Sequence, residues 1–201
     1  RTKLSENLFK GLAPWMSRLP GGLIHVNVVG CALFAAISGS SAATVATVGK
    51  MSIPELRKRN YPEKLLLGSL AGSGTLGLLI PPSIILIIYG VTVQESIAKL
   101  FIAGIIPGIM IAIFFMLYVI GWSILNKNIM PKVEETFSLS QKIKQSGQLI
   151  PVIVLIASVI GSIYVGIATA TEAAALGVVG ALILSFFQKS LNKETFKLSL
   201  L

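Results

Sequence analysis

Long stretches without Asp, Glu, Lys or Arg alternate along the chain with short stretches that carry several of these residues. The uncharged stretches are residues 22–49, 65–94, 100–126, 145–171 and 173–188. A helix needs roughly 20 residues to cross the hydrocarbon core of a bilayer, and most of these stretches approach or exceed that length. The strict apolar–polar alternation of membrane barrel strands is absent. The pattern therefore predicts an all-α polytopic membrane protein.

The positions of the basic residues indicate how the first uncharged stretch, 22–49, meets the membrane. If this stretch crossed once, Lys10 and Arg18 would lie on the opposite side from Lys50 to Lys64. If it enters and returns, every basic residue except Lys99 lies on one side, which is the bias found in cytoplasmic loops. Two half-helices and a turn also fit into its length. We therefore predict a re-entrant helical hairpin over 22–49.

The same topology sets the other predicted boundaries. They are an interfacial or connector helix at 1–21, the hairpin at 22–49, a cytoplasmic loop at 50–64, a broken transmembrane helix at 65–94, a transmembrane helix at 100–126, a cytoplasmic connector at 127–144, two transmembrane helices in 145–188 and a cytoplasmic segment at 189–201. The apolar stripe and Trp15 of the first segment fit either a helix in the membrane interface or the end of a preceding spanning helix. Since the chain begins without Met, we expect a piece of a longer polypeptide.

Two places at membrane depth do not suit a continuous helix. The first is Ser38-Gly39-Ser40-Ser41, in the middle of the predicted hairpin. The second is the glycine-rich stretch before Pro81 and Pro82, which remove backbone donors and clash with the preceding turn. Irregular backbone at this depth must be buried in protein or line a polar cavity, and paired breaks mark binding sites in transporters. The alternative is that small residues only allow close helix packing. This is our interpretation of Gly72, Gly104, Gly108, Gly121, Gly161 and Gly180.

The two breaks offer neutral oxygen atoms as ligands. A broken helix exposes carbonyls where its first half ends and N–H groups where its second half begins. The hydroxyls of Ser38, Ser40, Ser41, Thr75 and Ser83 add to them. The chain has no Asp, and neither break contains the ionisable relay expected of a proton-coupled carrier. Because hard cations prefer oxygen ligands, we expect Na⁺ to be the coupling ion. A proton-coupled carrier and an ion channel built on re-entrant segments are the alternatives.

Other conspicuous residues have simpler interpretations. We expect His25 to be an interfacial histidine with satisfied hydrogen bonds and Cys31 to be a buried packing residue. Glu172 follows Thr169-Ala-Thr and suits the first turn of a helix as part of a cap, with a role in transport as the alternative. The net charge of +9 belongs to residues that flank the apolar stretches, so we do not expect nucleic-acid binding. The chain has one His, one Cys and no Asp, so it offers no plausible pair of nucleophile and base. We therefore do not expect the protein to be an enzyme.

Several motifs resemble the large membrane subunit of tripartite ATP-independent periplasmic (TRAP) transporters. The specific ones are Ile37-Ser-Gly-Ser-Ser-Ala-Ala-Thr-Val-Ala-Thr-Val-Gly49 and Gly74-Thr-Leu-Gly-Leu-Leu-Ile-Pro-Pro-Ser83. Supporting ones are Met51-Ser-Ile-Pro54, Ala103-Gly-Ile-Ile-Pro-Gly108 and Gly166-Ile-Ala-Thr-Ala-Thr-Glu-Ala-Ala-Ala175. Members of the family often have Thr-Pro-Thr-Glu where this chain has Thr169-Ala-Thr-Glu172, which weakens any requirement for a rigid turn there.

The resemblance implies an elevator-type secondary transporter with two inverted repeats, in the bacterial inner membrane. Residues 22–49 and 65–94 would belong to the first repeat, and 145 onward would begin the second, whose hairpin would lie beyond Leu201. The family uses the Na⁺ gradient to take up organic acids such as dicarboxylates and sialic acids. A soluble periplasmic binding protein delivers the carboxylate substrate, and a small membrane subunit, separate or fused, completes the transporter.

The resemblance also implies a set of site residues. One sodium site would contain Ser38, Ser40, Gly77, Ile80 and Pro82. We assign the other hydroxyl-bearing residues of the breaks to the substrate, namely Ser41, Thr44, Thr75 and Ser83.

Overall fold

Helices account for the regular secondary structure of the part of the chain that the structure, a computed structural model, describes, which is residues 3–131 and 137–187. The helices are α1 Lys3–Met16, α2 Ile24–Ser38, α3 Ser41–Lys58, α4 Glu63–Gly74, α5 Ile84–Val93, α6 Ile97–Leu125, α7 Leu139–Ser146, α8 Ile150–Tyr164 and α9 Ala170–Phe187. Short 3₁₀ turns lie at Thr75–Leu78 and Gly147–Leu149. The predicted all-α class is confirmed. The predicted segment 189–201 and part of the 127–144 connector lie outside the described residues.

Within residues 3–131 and 137–187, two helical stretches are long and apolar enough to cross a bilayer, judged by length and composition. The first is α6. The second is the stretch Leu139–Tyr164, which consists of α7, the 3₁₀ turn Gly147–Leu149 and α8. Helices α2 and α5 are apolar but shorter. Large apolar side chains such as Ile88, Ile106 and Phe114 are exposed along α5 and α6. A water-soluble surface rarely exposes this much apolar area, so the exposed faces suit a bilayer or further protein.

The first uncharged stretch folds as two helices, α2 and α3, that pack against each other. Cys31 of α2 and Val48 of α3 are buried together with Leu70 of α4, so the packing interpretation of Cys31 is confirmed. Helix α3 does not end near Gly49 but continues to Lys58. The prediction of a loop over 50–64 is therefore wrong for residues 50–58. Ser52 and Leu56 lie one turn apart on the buried side of α3, and this burial keeps the segment helical despite Pro54.

The second uncharged stretch is interrupted between α4 and α5. Helix α4 ends at Gly74, a 3₁₀ turn follows, and α5 begins at Ile84. Helix α6 packs closely against this interruption. A methyl group on Gly104 would lie only 2.8 Å from the carbonyl oxygen of Leu79. A methyl group on Gly108 would lie 2.9 Å from Cγ1 of Ile80. The packing role predicted for these two glycines is confirmed, as it is for Gly72 and Gly180, whose methyl positions lie 3.1 Å from Phe115 and 2.7 Å from Leu155. It is not confirmed for Gly121 and Gly161, because no described atom lies within 4 Å of their methyl positions.

Helices α8 and α9 form a second antiparallel pair that contacts α6 through Phe101, Val159, Ile163 and Ala173. The turn between them is closed by Thr169 and Glu172. The Thr169 N–H donates to Oε2 of Glu172 at 2.8 Å, and the Glu172 N–H donates to Oγ1 of Thr169 at 3.4 Å. This reciprocal pair is a capping box, so the predicted capping role of Glu172 is confirmed.

Candidate ion-binding site at two helix breaks

The first break, between α2 and α3, is a tight two-residue connection. Gly39 ends α2 in the left-handed region with φ 59°, and its N–H donates to the carbonyl of Ala35 at 2.9 Å. Ser40 is extended, with φ −131° and ψ 124°, and is the N-cap of α3. Its hydroxyl oxygen accepts a long bond of 3.5 Å from the Ala43 N–H. The connection thus places the last carbonyls of α2 beside the first N–H groups of α3.

Three polar residues form a hydrogen-bond network inside this break. The Thr44 hydroxyl donates to the carbonyl of Ser40 at 2.7 Å. The Ser38 and Thr44 hydroxyl oxygens are 2.8 Å apart. Because the proton of Thr44 is used on Ser40, the Ser38 hydroxyl is the donor, either to Oγ1 of Thr44 or to the Ser40 carbonyl 3.2 Å away. The Ser38 oxygen also accepts a long bond of 3.4 Å from the Ser40 N–H, which leaves one lone pair available to a cation.

The second break, after the 3₁₀ turn, depends on the two prolines. The N–H groups of Leu79 and Ile80 both donate to the carbonyl of Leu76, at 3.1 and 2.8 Å. Pro81 has no N–H and so cannot close a helical bond to Gly77. Pro82 likewise has no N–H to donate to the Leu78 carbonyl. The Ser83 hydroxyl donates to that carbonyl instead, at 2.6 Å. The prolines thus release the Gly77 carbonyl from its helical partner.

The structure brings the two breaks into direct contact. A methyl group on Gly39 would lie 2.8 Å from the carbonyl oxygen of Pro82, and the Ile84 N–H donates to the Gly39 carbonyl at 3.4 Å. A methyl group on Gly77 would lie 2.9 Å from the backbone nitrogen of Ser41. The backbones of the two breaks therefore lie within van der Waals distance of each other. This approach is possible only because Gly39 and Gly77 have no side chain.

Most of the residues predicted to bind sodium meet at this contact. Ser38 and Ser40 come from the first break, and Gly77 and Pro82 come from the second. The side chain of Ile80 packs against Gly108 of α6, so only its backbone could take part in a site. The set offers hydroxyl and carbonyl oxygens without a carboxylate, a donor set that suits a hard monovalent cation.

The four residues predicted to contact substrate have different environments. Thr44 and Ser83 are completely buried, and both hydroxyls are engaged with backbone carbonyls. Thr75 is exposed, and its hydroxyl donates to the Gly72 carbonyl at 2.7 Å. Ser41 is partly exposed and lies against Gly77. Thr44 is placed to hold Ser38, a role that the sequence analysis did not assign to it.

A cleft of about 350 Å³ opens between the two breaks and the pair α8–α9. Ser38, Gly39, Pro82 and Ser83 line one side of it. Its other side is apolar and includes Leu155, Val159 and Val178. The cleft makes the polar tip of the first break accessible from the side of α8 and α9.

Asn27 is a further residue that supports the site and that the sequence analysis missed. Its amide nitrogen donates to the Leu66 carbonyl at 3.3 Å and to the Ser69 hydroxyl at 3.0 Å. The Ser73 hydroxyl donates to the Ser69 carbonyl within α4 at 2.6 Å and lies 3.3 Å from the backbone carbonyl of Asn27. These bonds tie α2 to α4 at a buried position, so the two breaks are held on one packed unit. The signal in the sequence was a single Asn within an apolar run.

His25 is completely buried at the beginning of α2. Its Nε2 lies 2.8 Å from the Pro20 carbonyl, but its Nδ1 is buried without a hydrogen-bond partner among the described residues. The interpretation of a fully satisfied interfacial histidine is therefore wrong in part, because the ring packs inside the protein beneath Gly21 and Ser123.

Comparisons with known proteins point to one family. The sequence model described as "Tripartite ATP-independent periplasmic transporter, DctM component" matches residues 1–201. The chain is 36% identical over 174 residues to the C4-dicarboxylate TRAP transporter large permease protein DctM of Pseudomonas aeruginosa, covering 86% of this chain and 40% of that protein. It is 35% identical over 195 residues to the sialic acid TRAP transporter permease protein SiaT of Haemophilus influenzae, covering 96% of this chain and 31% of that protein.

A third relative is named for another solute. The ectoine TRAP transporter large permease protein TeaC of Halomonas elongata is 37% identical over 189 residues, covering 92% of this chain and 43% of that protein. The chain thus spans less than half the length of each of these relatives.

Proposed function

Since the chain belongs to the DctM family of tripartite ATP-independent periplasmic transporters, we propose that the complete protein performs Na⁺-coupled uptake of an organic acid. C4-dicarboxylates, sialic acid and ectoine, for which three relatives are named, all carry a carboxylate. We place the protein in the bacterial inner membrane. A soluble periplasmic binding protein delivers the substrate, and a small membrane subunit, separate or fused, completes the assembly.

The contact between the two helix breaks is the observation that carries this proposal. Ser38 and Ser40 supply hydroxyl oxygens, while Gly77, Ile80 and Pro82 supply backbone carbonyls. Because these ligands are neutral, their preference for Na⁺ does not depend on a titratable group at the site. When bound, Na⁺ supplies a positive charge toward which a substrate carboxylate is attracted.

The hydrogen bonds of the site fit this role. The Ser38 hydroxyl donates within the network that it forms with Ser40 and Thr44, and it keeps an oxygen lone pair for a cation. Thr44 is fixed in turn by its bond to the Ser40 carbonyl. Pro81 leaves the Gly77 carbonyl without a helical donor. In the complete protein, the rest of the sodium and substrate sites would come from the second repeat, beyond this chain.

The way the site is supported fits an elevator movement. Asn27 binds α2 to α4, and α3 packs against both. Such a packed unit moves as a rigid body more readily than it deforms. We therefore propose that α2, α3, α4 and the second break carry the site across the membrane together.

Transport by the complete protein in proteoliposomes, with its small subunit and binding protein, tests the coupling ion. An inward Na⁺ gradient should drive uptake against the substrate gradient, and a proton gradient in Na⁺-free buffer should not. Equal uptake under the proton gradient alone would contradict Na⁺ coupling. Single-channel currents across a planar bilayer would instead identify a channel.

Thr44 offers a sharper test of the hydroxyl network. Thr44→Val keeps the shape of the side chain but removes the bonds to Ser38 and Ser40, so Ser38 is held only by its longer bonds to the Ser40 backbone. A hydrogen bond between neutral groups contributes about 0.5–1.5 kcal/mol and two are lost, so we expect the Na⁺ concentration for half-maximal uptake to rise about tenfold. Thr44→Ser keeps the hydroxyl and should behave like the wild type. Equal Na⁺ requirements in both variants would remove Thr44 from the site.

A further inference from the structure

The link between α1 and α2 contains two adjacent glycines with positive φ. Gly21 has φ 100° and Gly22 has φ 52°, values that glycine adopts readily and other residues rarely adopt. Immediately before them, the Pro20 carbonyl oxygen lies 2.8 Å from Nε2 of His25. Because glycine also rotates between backbone conformations at little cost, the two glycines are the position at which the direction of α2 relative to α1 can change.

The beginning of α2, just after these glycines, is bound by a side chain from a distant part of the sequence. Backbone carbonyls three residues earlier accept from the N–H groups of Gly22, Ile24, His25 and Val26. The Leu23 N–H donates instead to the hydroxyl of Tyr61 at 3.0 Å. Tyr61 lies between α3 and α4, and its own N–H donates to the carbonyl of Leu56 at 3.1 Å. One hydroxyl therefore joins the first turn of α2 to the far end of α3.

Gly22 allows the Tyr61 hydroxyl to reach Leu23. A methyl group on Gly22 would collide with that hydroxyl oxygen. The next atom of the tyrosine, Cζ, would lie 3.6 Å from the methyl group, which is an ordinary van der Waals distance. The hydroxyl, and not the ring, therefore requires glycine at this position. Removing the hydroxyl should make room for alanine there.

Helix α1, on the other side of the link, is held by α7 and by the 3₁₀ turn that precedes α8. A methyl group on Gly11 would lie 2.6 Å from Cγ of Leu149. The Trp15 indole N–H donates to the Ser146 hydroxyl at 2.7 Å, and the ammonium group of Lys142 lies 5.3 Å from the centre of the indole ring. The packing of α1 against α2 belongs to an apolar cluster, and packed helices can slide past one another. The glycine pair thus connects a helix fixed to α7 with the hairpin that carries the candidate ion site.

We propose that Tyr61 is a positioning residue for transport, an inference that rests on the elevator movement proposed above. Its hydroxyl holds the first turn of α2 on the unit of α2, α3 and α4, so the change in direction during the movement is confined to Gly21 and Gly22. Tyr61 acts through Leu23, which lies about 20 Å along α2 from Ser38. Its role therefore concerns the rate at which the unit moves and not the affinity of the site for Na⁺.

The variant Tyr61→Phe tests this role in the complete transporter, reconstituted with its small subunit and binding protein. Its maximal rate of uptake should be lower than that of the wild type by about threefold or more, as expected when one hydrogen bond between neutral groups is lost. Its dissociation constant for Na⁺ should equal that of the wild type, because the helix breaks are unchanged. Tyr118→Phe, on α6 where the side chain is 65% exposed, is the matched control and should equal the wild type in both measurements.

A second-site rescue tests the geometry at Gly22. Gly22→Ala should lower the maximal rate, because its methyl group collides with the Tyr61 hydroxyl and because alanine is strained at φ 52°. The double variant Gly22→Ala/Tyr61→Phe should transport faster than Gly22→Ala alone, because the hydroxyl that causes the collision is gone. Na⁺ binding by each purified variant shows that the protein is folded. A Gly22→Ala protein that folds only together with Tyr61→Phe would be the same rescue in a stronger form.

Three results would overturn the proposal. A wild-type maximal rate in Tyr61→Phe would show that the bond to Leu23 does not affect the movement. A double variant no faster than Gly22→Ala would show that the hydroxyl does not occupy the space beside Gly22. A raised Na⁺ dissociation constant in Tyr61→Phe would place its effect at the ion site. Absence of Na⁺ binding by the wild type would contradict the proposed coupling ion alone, since the maximal rates under whichever gradient drives uptake still decide the role of Tyr61.

Discussion

Replacing Gly39 with alanine is expected to reduce Na⁺-driven uptake by the complete transporter by tenfold or more. Gly39 has φ 59°, and an L-residue in this region costs roughly 1–2 kcal/mol. The added methyl group would also lie 2.8 Å from the Pro82 carbonyl oxygen, so the two breaks would have to separate. Because 1.4 kcal/mol corresponds to about tenfold, even a partial separation gives a large loss. The loss is measured as the rate of uptake at saturating and at limiting Na⁺ concentrations.

Gly166 provides the control for backbone strain at Gly39. Its φ is 76°, and nothing lies within 4 Å of the position that a methyl group would occupy. Gly166→Ala therefore introduces the same kind of strain without moving the breaks apart, and it should keep the wild-type Na⁺ requirement. If Gly166→Ala raised the Na⁺ requirement as much as Gly39→Ala, strain alone would explain the loss, and the contact with Pro82 would have no role.

Replacing Gly77 with alanine is expected to have an effect of similar size for a different reason. Gly77 lies in the 3₁₀ turn with ordinary φ, so alanine fits its backbone. The methyl group would lie 2.9 Å from the Ser41 nitrogen and 3.0 Å from the Ser40 carbonyl carbon. These are backbone atoms, which cannot rotate away. We expect the Na⁺ requirement for uptake to rise about tenfold or more, since displaced ligands bind a cation less well.

Gly68 of α4 is the matched control for Gly77, because nothing lies within 4 Å of its methyl position. Gly68→Ala should leave uptake unchanged, and its better helix propensity stabilises α4 slightly. A Gly77→Ala variant that folds, inserts and transports with the wild-type Na⁺ requirement would contradict close contact between the breaks.

The two helix breaks could be predicted from the sequence because both depend on local rules. Glycine among small hydroxyl residues ends a helix, and Pro81-Pro82 cannot continue one. Irregular backbone at membrane depth needs protein or a polar cavity around it, so their pairing at one site was also predictable, whereas the direct contact between their backbones required the structure. The capping role of Glu172 was likewise visible in a four-residue pattern.

The errors concern properties that depend on packing between distant segments. Residues 50–58 are helical because Leu56 is buried with Leu8, Leu65 and Leu66, contacts that no local pattern specifies. Thr44 contacts Ser38 because the first turn of α3 faces the end of α2. This arrangement depends on the backbone conformation of Gly39 and Ser40, which the sequence pattern does not specify.

The central claim is that the two breaks together bind sodium, and radioactive Na⁺ binding to the purified complete transporter tests it most directly. The comparison is between wild type, Ser38→Ala and the control Ser158→Ala, whose hydroxyl only donates to the Leu155 carbonyl within α8. Loss of one oxygen ligand should raise the dissociation constant of one bound Na⁺ about tenfold in Ser38→Ala, while Ser158→Ala should match the wild type. Identical Na⁺ binding by all three proteins would contradict a sodium site that uses the Ser38 hydroxyl at these breaks.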